Sequence, residues 1–107
     1  MRRYDIVIAR LDPVEGGEMG KTRPVVIVSD DLRNQLLHNV VACPLTGQLH
    51  PQWRSRLPVR CAGKPAEIAV DQIRVLSKAR LTRKIDHWSA TDAAAVRHLI
   101  SEMYGEG

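Results

Sequence analysis

Two side chains stand where the chain could do chemistry. Arg23 follows a glycine-rich stretch, Gly16-Gly17-Glu18-Met19-Gly20, and precedes an apolar run, Pro24-Val25-Val26-Ile27-Val28. Thr46 follows a second such run, Val40-Val41-Ala42-Cys43-Pro44-Leu45. If the two runs are neighbouring strands, a guanidinium and a hydroxyl emerge at one mouth. An arginine fork and a hydroxyl suit a phosphate: they hold it and stabilise charge developing on it, with no metal required. A buried ion pair is the competing use for Arg23.

Other chemistries fit less well. Gly20-Lys21-Thr22 matches the end of a phosphate-binding loop, but Glu15 stands where the first glycine belongs. A strand-like run also follows where a helix should begin. The histidines, His38, His50, His87 and His98, are scattered, and none sits at ligand spacing from another. His98 is expected to be exposed, and His50 lies in a polar loop where substrate could reach it. Cys43 and Cys61 form no Cys-x-x-Cys pair, so no zinc site is expected. They read as two buried strand thiols in a reducing compartment. No metal or other cofactor is expected.

Charge is concentrated in the middle of the chain. Residues 54–84 hold nine basic side chains against Glu67 and Asp71, a net of +7. Residues 1–53 balance, and residues 85–107 carry a net of −3. Arginine supplies 12 of the 16 basic residues, and its planar fork pairs bidentately with phosphate as lysine cannot. A phosphate-bearing partner suits such a segment, as does a plain solvated surface.

The elements that must position these residues follow from the pattern. The 107 residues, 44% apolar and 26% charged, read as one domain over 1–107 with ordinary globular composition. No apolar run is long enough to span a membrane, and the N-terminus does not read as a signal peptide, so a cytoplasmic location is expected. Strands are predicted at 5–11, 24–29, 39–45, 56–61 and 67–76, with one more within 81–88. Residues 30–37 read as a short helix or turn, and 62–65 as a turn. Spacing this close leaves no room for crossover helices, so the sheet should be antiparallel and close toward a small barrel. The fold class is therefore α+β, mainly β. Ser89 and Asp92 fit a capping box, and Val96, Leu99, Ile100 and Met103 form one apolar stripe. They predict a helix over about 90–104, ended at Gly105.

Three blocks in register resemble the MazF/PemK family of toxin endoribonucleases. The first runs from Leu11-Asp12-Pro13 through Gly16-Gly17-Glu18 to Gly20-Lys21-Thr22-Arg23-Pro24-Val25-Val26-Ile27-Val28-Ser29. The second is Cys43-Pro44-Leu45-Thr46. The third is Val70-Asp71-Gln72-Ile73-Arg74-Val75-Leu76 with Lys78-Ala79-Arg80-Leu81. The resemblance implies an SH3-like barrel with a C-terminal helix, forming a homodimer. It implies metal-independent cleavage of single-stranded RNA by 2′-hydroxyl attack, leaving a 2′,3′-cyclic phosphate and a 5′-hydroxyl. It also implies neutralisation by a MazE-type antitoxin. The family's catalytic Arg and Thr fall on Arg23 and Thr46. Expected RNA contacts are Glu18, Lys21, Arg54, Asp71, Gln72, Arg74 and Arg80, with Glu18 and Asp71 as candidate proton acceptors or base readers.

The chain departs from the family at several positions. Gly17 stands where Ser or His is frequent, and Met19 where Gln is. Tyr4 replaces the usual Gly before the first strand, and Ala69 stands where some PemK-like members carry a catalytic Arg. Two other functions compete. A gyrase-binding toxin of CcdB type would need a Trp-Gly-Ile terminus, whereas this chain ends Tyr104-Gly105-Glu106-Gly107. A non-catalytic RNA- or peptide-binding barrel is the second.

Overall fold

The computed structural model describes residues 1–12, 16–17 and 19–105. Among them are seven strands: β1 (Asp5–Arg10), β2 (Thr22–Ile27), β3 (Asn39–Thr46), β4 (Arg56–Cys61), β5 (Lys64–Ala69), β6 (Arg74–Ser77) and β7 (Leu81–His87). Two helices accompany them, α1 (Asp31–Leu36) and α2 (Ala90–Tyr104). Every pairing is antiparallel, in the order β4-β5-β3-β2-β1-β7, and β6 also pairs with β3. The sheet curls into a half-barrel. Two register shifts between β1 and β7 assist the curl, because bulges bend and twist the strand that carries them.

Most predicted elements fall close to where the pattern set them. The one strand expected over 67–76 is two. Leu45 faces Ile68, whereas Ala42 faces Arg74, so three residues drop out of register along the same edge of β3. Those are Val70–Gln72, coiled into a 3-10 turn. An insertion of this kind interrupts the pairing without interrupting the apolar pattern. The turn expected over 62–65 shrinks to Ala62 and Gly63, both left-handed at φ 52° and 79°, which suits a two-residue hairpin.

Strand alternation buries two apolar layers. Ile6, Val26, Cys43, Leu45 and Ile68 pack with Trp88 and with Val96 of α2. Val7, Val25, Ile27, Val40, Ala42 and Leu76 pack on the other side. The helix presents its predicted stripe to the first layer: Val96 is buried, and Leu99, Ile100 and Met103 lie against the same cluster. Ser89 caps it, its hydroxyl accepting from the Asp92 amide at 3.2 Å, a contact worth about 1 kcal/mol. Cys43 is buried as expected, but Cys61 at the end of β4 is only half-buried. No helix among the described residues is long and apolar enough to cross a membrane.

Tyr4 shows why glycine suits its position: its φ is 70°. A side chain there costs about 1–2 kcal/mol. Its neighbours hold it in place. The Tyr4 amide donates to the Ile27 carbonyl at 2.6 Å, and its own carbonyl accepts from Trp88 at 3.1 Å. The guanidinium groups of Arg3 and Arg97 lie 5.2 and 6.0 Å from the ring centroid.

The adjacent Asp5 is a buried carboxylate. It accepts from the Arg2 amide at 2.9 Å and meets His87 Nδ1 at 2.6 Å and Lys84 Nζ at 3.2 Å. Burial by itself would raise its pKa; the contacts with His87, Arg2 and Lys84 outweigh that and hold it below the ordinary 3.8. Its stabilising contribution is thus complete above about pH 4 and disappears as pH falls through the lowered folded value. Asp5→Asn should cost about 1–2 kcal/mol at pH 7. Urea unfolding at pH 7 and at stepwise lower pH should show the gap between wild type and variant narrowing only below about pH 4.

Candidate active site

Antiparallel pairing of β2 with β3 brings the segments that carry the two residues of interest to the same end of the sheet. Val25 faces Pro44. The β2–β3 ladder ends at that pair, with Arg23 two residues before Val25 on β2 and Thr46 two residues after Pro44 on β3. On its other edge Thr46 faces Glu67 of β5. Thr46 and Glu67 therefore share a row across β3 and β5, and Arg23 lies at the start of β2, beyond the last β2–β3 pair. Thr46 is 7% exposed, and its hydroxyl accepts from the Gln48 amide at 3.1 Å. A hollow of about 210 Å³ opens beside it, lined in part by Pro24, Thr46, Gly47, Lys64 and Pro65.

Arg23 is half-buried and rests on the glycine-rich segment. Its Nε donates to the Gly20 carbonyl at 3.1 Å, and Nη1 donates to the Met19 sulfur at 3.5 Å. Both partners are neutral, so an anion can displace them: a charge-assisted bond is roughly twice as strong. The neck of the segment is closed by the Leu11 amide, which donates to the Lys21 carbonyl at 2.8 Å. Lys21 itself is exposed and left-handed, φ 64°. Non-glycine strain of this sort persists only where surrounding bonds enforce it.

The remaining candidates divide. Gln72 and Asp71 lie on the Val70–Gln72 turn beside this site: Gln72 Oε1 accepts from the Met19 amide at 3.3 Å, and Asp71 Oδ1 accepts from Arg56 Nε at 3.1 Å. Arg54 is exposed in the turn before β4, and Arg74 is half-buried on β6 opposite Ala42. Arg80 is engaged elsewhere. Its Nη1 donates to the carbonyls of Arg10 at 3.1 Å and Asp12 at 2.6 Å, and Arg10 returns a bond to the Ala79 carbonyl. That clasp ties Arg80 to the end of β1. Glu18 lies outside the described residues. His98 is exposed and meets Glu102 at 3.1 Å on its own helix.

Sequence reasoning overlooked the support beneath Thr46. Glu67, 2% exposed, accepts from the His50 amide at 2.8 Å and lies 3.7 Å from Arg56 Nη1. The Arg56 guanidinium sits 4.7 Å from the centroid of Trp53, whose ring stacks on His50 at 3.8 Å. The loop from Gly47 to Ser55 is thereby tied to β5 and to the Val70–Gln72 turn. A signal did exist. Counting back from a two-residue turn at Ala62–Gly63 sets Pro58 opposite Glu67 and puts Arg56 on the same face, two residues away.

Thiol chemistry is closed off here. Burial, with a contribution from the Asp71 charge, pushes the Cys43 thiol up to about 12, far from any reactive thiolate near neutrality. Burial and Asp86 likewise raise Cys61.

Removing one partner of the buried pair leaves the other unmatched. Arg56→Ala should cost about 3–5 kcal/mol, and Arg56→Ala/Glu67→Gln should recover part of that loss. Chemical denaturation of the three proteins at pH 7 measures it; equal losses for the single and double variants would show that Glu67 carries no burden.

The chain matches, over residues 2–104, the family described as PemK-like, MazF-like toxin of type II toxin–antitoxin system. It is 32% identical to the Endoribonuclease MazF of Staphylococcus saprophyticus, covering 98% of this chain and 92% of that protein. The crystal structure of MazF from Deinococcus radiodurans superposes with a TM-score of 0.87 at 21% identity, covering 99% of this chain and 97% of that one. A chain of the MazE-MazF crystal structure from the same organism gives 0.80 at 21% identity, over 100% and 97% of the two chains. A match over nearly the whole length, with the three sequence blocks in order and the half-barrel they build, shows that this chain belongs to the MazF/PemK family of type II toxins.

Proposed function

We propose that this chain is an endoribonuclease toxin that cleaves single-stranded RNA without a metal. What supports the reading is Thr46 lining a hollow at the end of β3, with Arg23 two residues beyond the last β2–β3 pair, Val25–Pro44. A phosphodiester entering there meets a hydroxyl from β3 and a guanidinium from β2. The RNA 2′-oxygen attacks the adjacent phosphorus and the P–O5′ bond breaks. The proton lost from the 2′-hydroxyl is matched by one delivered to O5′. The products are a 2′,3′-cyclic phosphate and a 5′-hydroxyl.

Arg23 exchanges its Nη1 contact with Met19 for the phosphate while Nε stays on the Gly20 carbonyl, and stabilises the charge that develops in the transition state. A guanidinium offers donors and no acceptor, so Arg23 acts as a cation and hydrogen-bond donor. Thr46 orients the phosphate from a rigid strand end. Lys21, Arg54 and Arg74 hold flanking phosphates, with Gln72 presenting an amide to a base edge. Asp71 accepts from Arg56 and ties the turn that bears Gln72 to β4.

The partner is an acidic antitoxin of MazE type, as the MazE-MazF pair of Deinococcus radiodurans suggests. Its carboxylates and the RNA phosphates compete for the same arginine forks on residues 54–84. Two such segments lie alongside each other in a homodimer, and the cytoplasm supplies the RNA.

Purified protein incubated with a long RNA in EDTA should cut at a short recurring sequence and leave 5′-hydroxyl ends. Loss of cleavage in EDTA, or 5′-phosphate ends, would overturn the metal-free route. Arg23→Ala and Thr46→Ala should each slow cleavage by at least about a hundredfold while folding survives. A folded Arg23→Ala protein cutting at the wild-type rate would remove Arg23 from the site.

A further inference from the structure

The Val70–Gln72 turn is held from four directions. The Val70 amide donates to the Ser55 carbonyl at 3.0 Å, at the foot of the loop that follows Thr46. Asp71 takes Arg56, and Gln72 takes the Met19 amide. The fourth hold comes from the far end of the chain: Tyr104 Oη donates to the Val70 carbonyl at 2.9 Å.

We infer that Tyr104 is a positioning residue for Arg23: its hydroxyl fixes the Val70–Gln72 turn, and Gln72 on that turn holds the Met19–Gly20 segment on which Arg23 rests. The inference builds on the reading of Arg23 as the phosphate-stabilising group.

Three observations support it. A single 3-10 turn has poor internal geometry and needs outside bonds, and Ala69 before it supplies no side-chain cap. The Val70 carbonyl accepts within the turn only from the Ile73 amide, at 3.2 Å, which leaves its second lone pair for Tyr104. Tyr104 is also 52% exposed. It is the last residue of α2, where a helix otherwise frays. With so much of the residue in solvent, its hydroxyl carries more of its structural role than its packing does. Burial, then Cys43 and Asp71, raise the phenol's pKa, so it remains a donor at neutral pH.

The link onward is short. Gln72 Oε1 reaches the Met19 amide at 3.3 Å, Met19 Sδ receives Arg23 Nη1, and the Gly20 carbonyl receives Arg23 Nε. The Gln72 contact is long for a neutral hydrogen bond, so a small shift of the turn breaks it. Arg23 then loses its fixed starting position, and catalysis that depends on orientation slows.

Tyr104→Phe removes the hydroxyl and keeps the ring. In the full chain, deuterium exchange followed by NMR should quicken at the Met19 and Ile73 amides and stay unchanged at Ala93 and Val96 within α2. The kcat for RNA cleavage should fall about three- to tenfold, the factor one neutral hydrogen bond supports, with KM little changed. In a Gln72→Ala background, Tyr104→Phe should add nothing to kcat. Faster exchange throughout α2 with Met19 unaffected would make Tyr104 a helix anchor and overturn the inference. So would an unchanged kcat in a folded Tyr104→Phe protein. A wild-type protein that cuts no RNA would refute the ribonuclease reading instead, and the exchange pattern would still decide whether Tyr104 governs the Met19 segment.

Discussion

Glu67 is a carboxylate with almost no contact with water, and a charge so placed destabilises its strand unless it is matched. Arg56 matches it from β4 and is itself held by Asp71 from the turn after β5, and the His50 amide donates to Glu67. Each partner belongs to a different segment. Satisfying one buried charge therefore fixes the β4–β5 hairpin, the loop after Thr46 and the Val70–Gln72 turn relative to one another. The stack of His50 and Trp53 beneath Arg56 follows from the same constraint, since the loop must return to Glu67 at His50.

Arginines in this chain do two kinds of work, and their partners separate them. Arg56 is bound to two carboxylates, and Arg80 to the backbone carbonyls of Arg10 and Asp12. Arg23 is bound to one carbonyl and one thioether on the segment next to it. The buried ion pair at Arg56 resists exchange and serves architecture. The neutral partners of Arg23 are weaker than a charge-assisted contact would be.

β3 connects the architecture to the chemistry. It pairs with β2 on one edge and with both β5 and β6 on the other, so it can hardly shift without disturbing three neighbours. Thr46 at its end inherits that rigidity. Arg23 lies at the opposite extreme, at the start of β2, beside a strained Lys21 and a segment hung from Gln72.

Much of this was legible in the residues. Alternating apolar positions set the strands, Ser89 and Asp92 started the helix, and the Val96 stripe chose its buried face. All of these are local, read within one turn or one strand. Three blocks in order carried the family and pointed to Arg23 and Thr46. What the sequence could not state was pairing partners. Whether residues 67–76 form one strand or two depends on the register of β3, thirty residues away, which drops Val70–Gln72 out of the ladder. Arg80 reads like any other cation in a basic segment until the fold brings the carbonyls of Arg10 and Asp12 to it. Arg56 and Glu67 look like surface charges until four segments close over them. Local pattern determines which elements form, whereas the fate of a charge is decided by whatever distant group the chain folds against it.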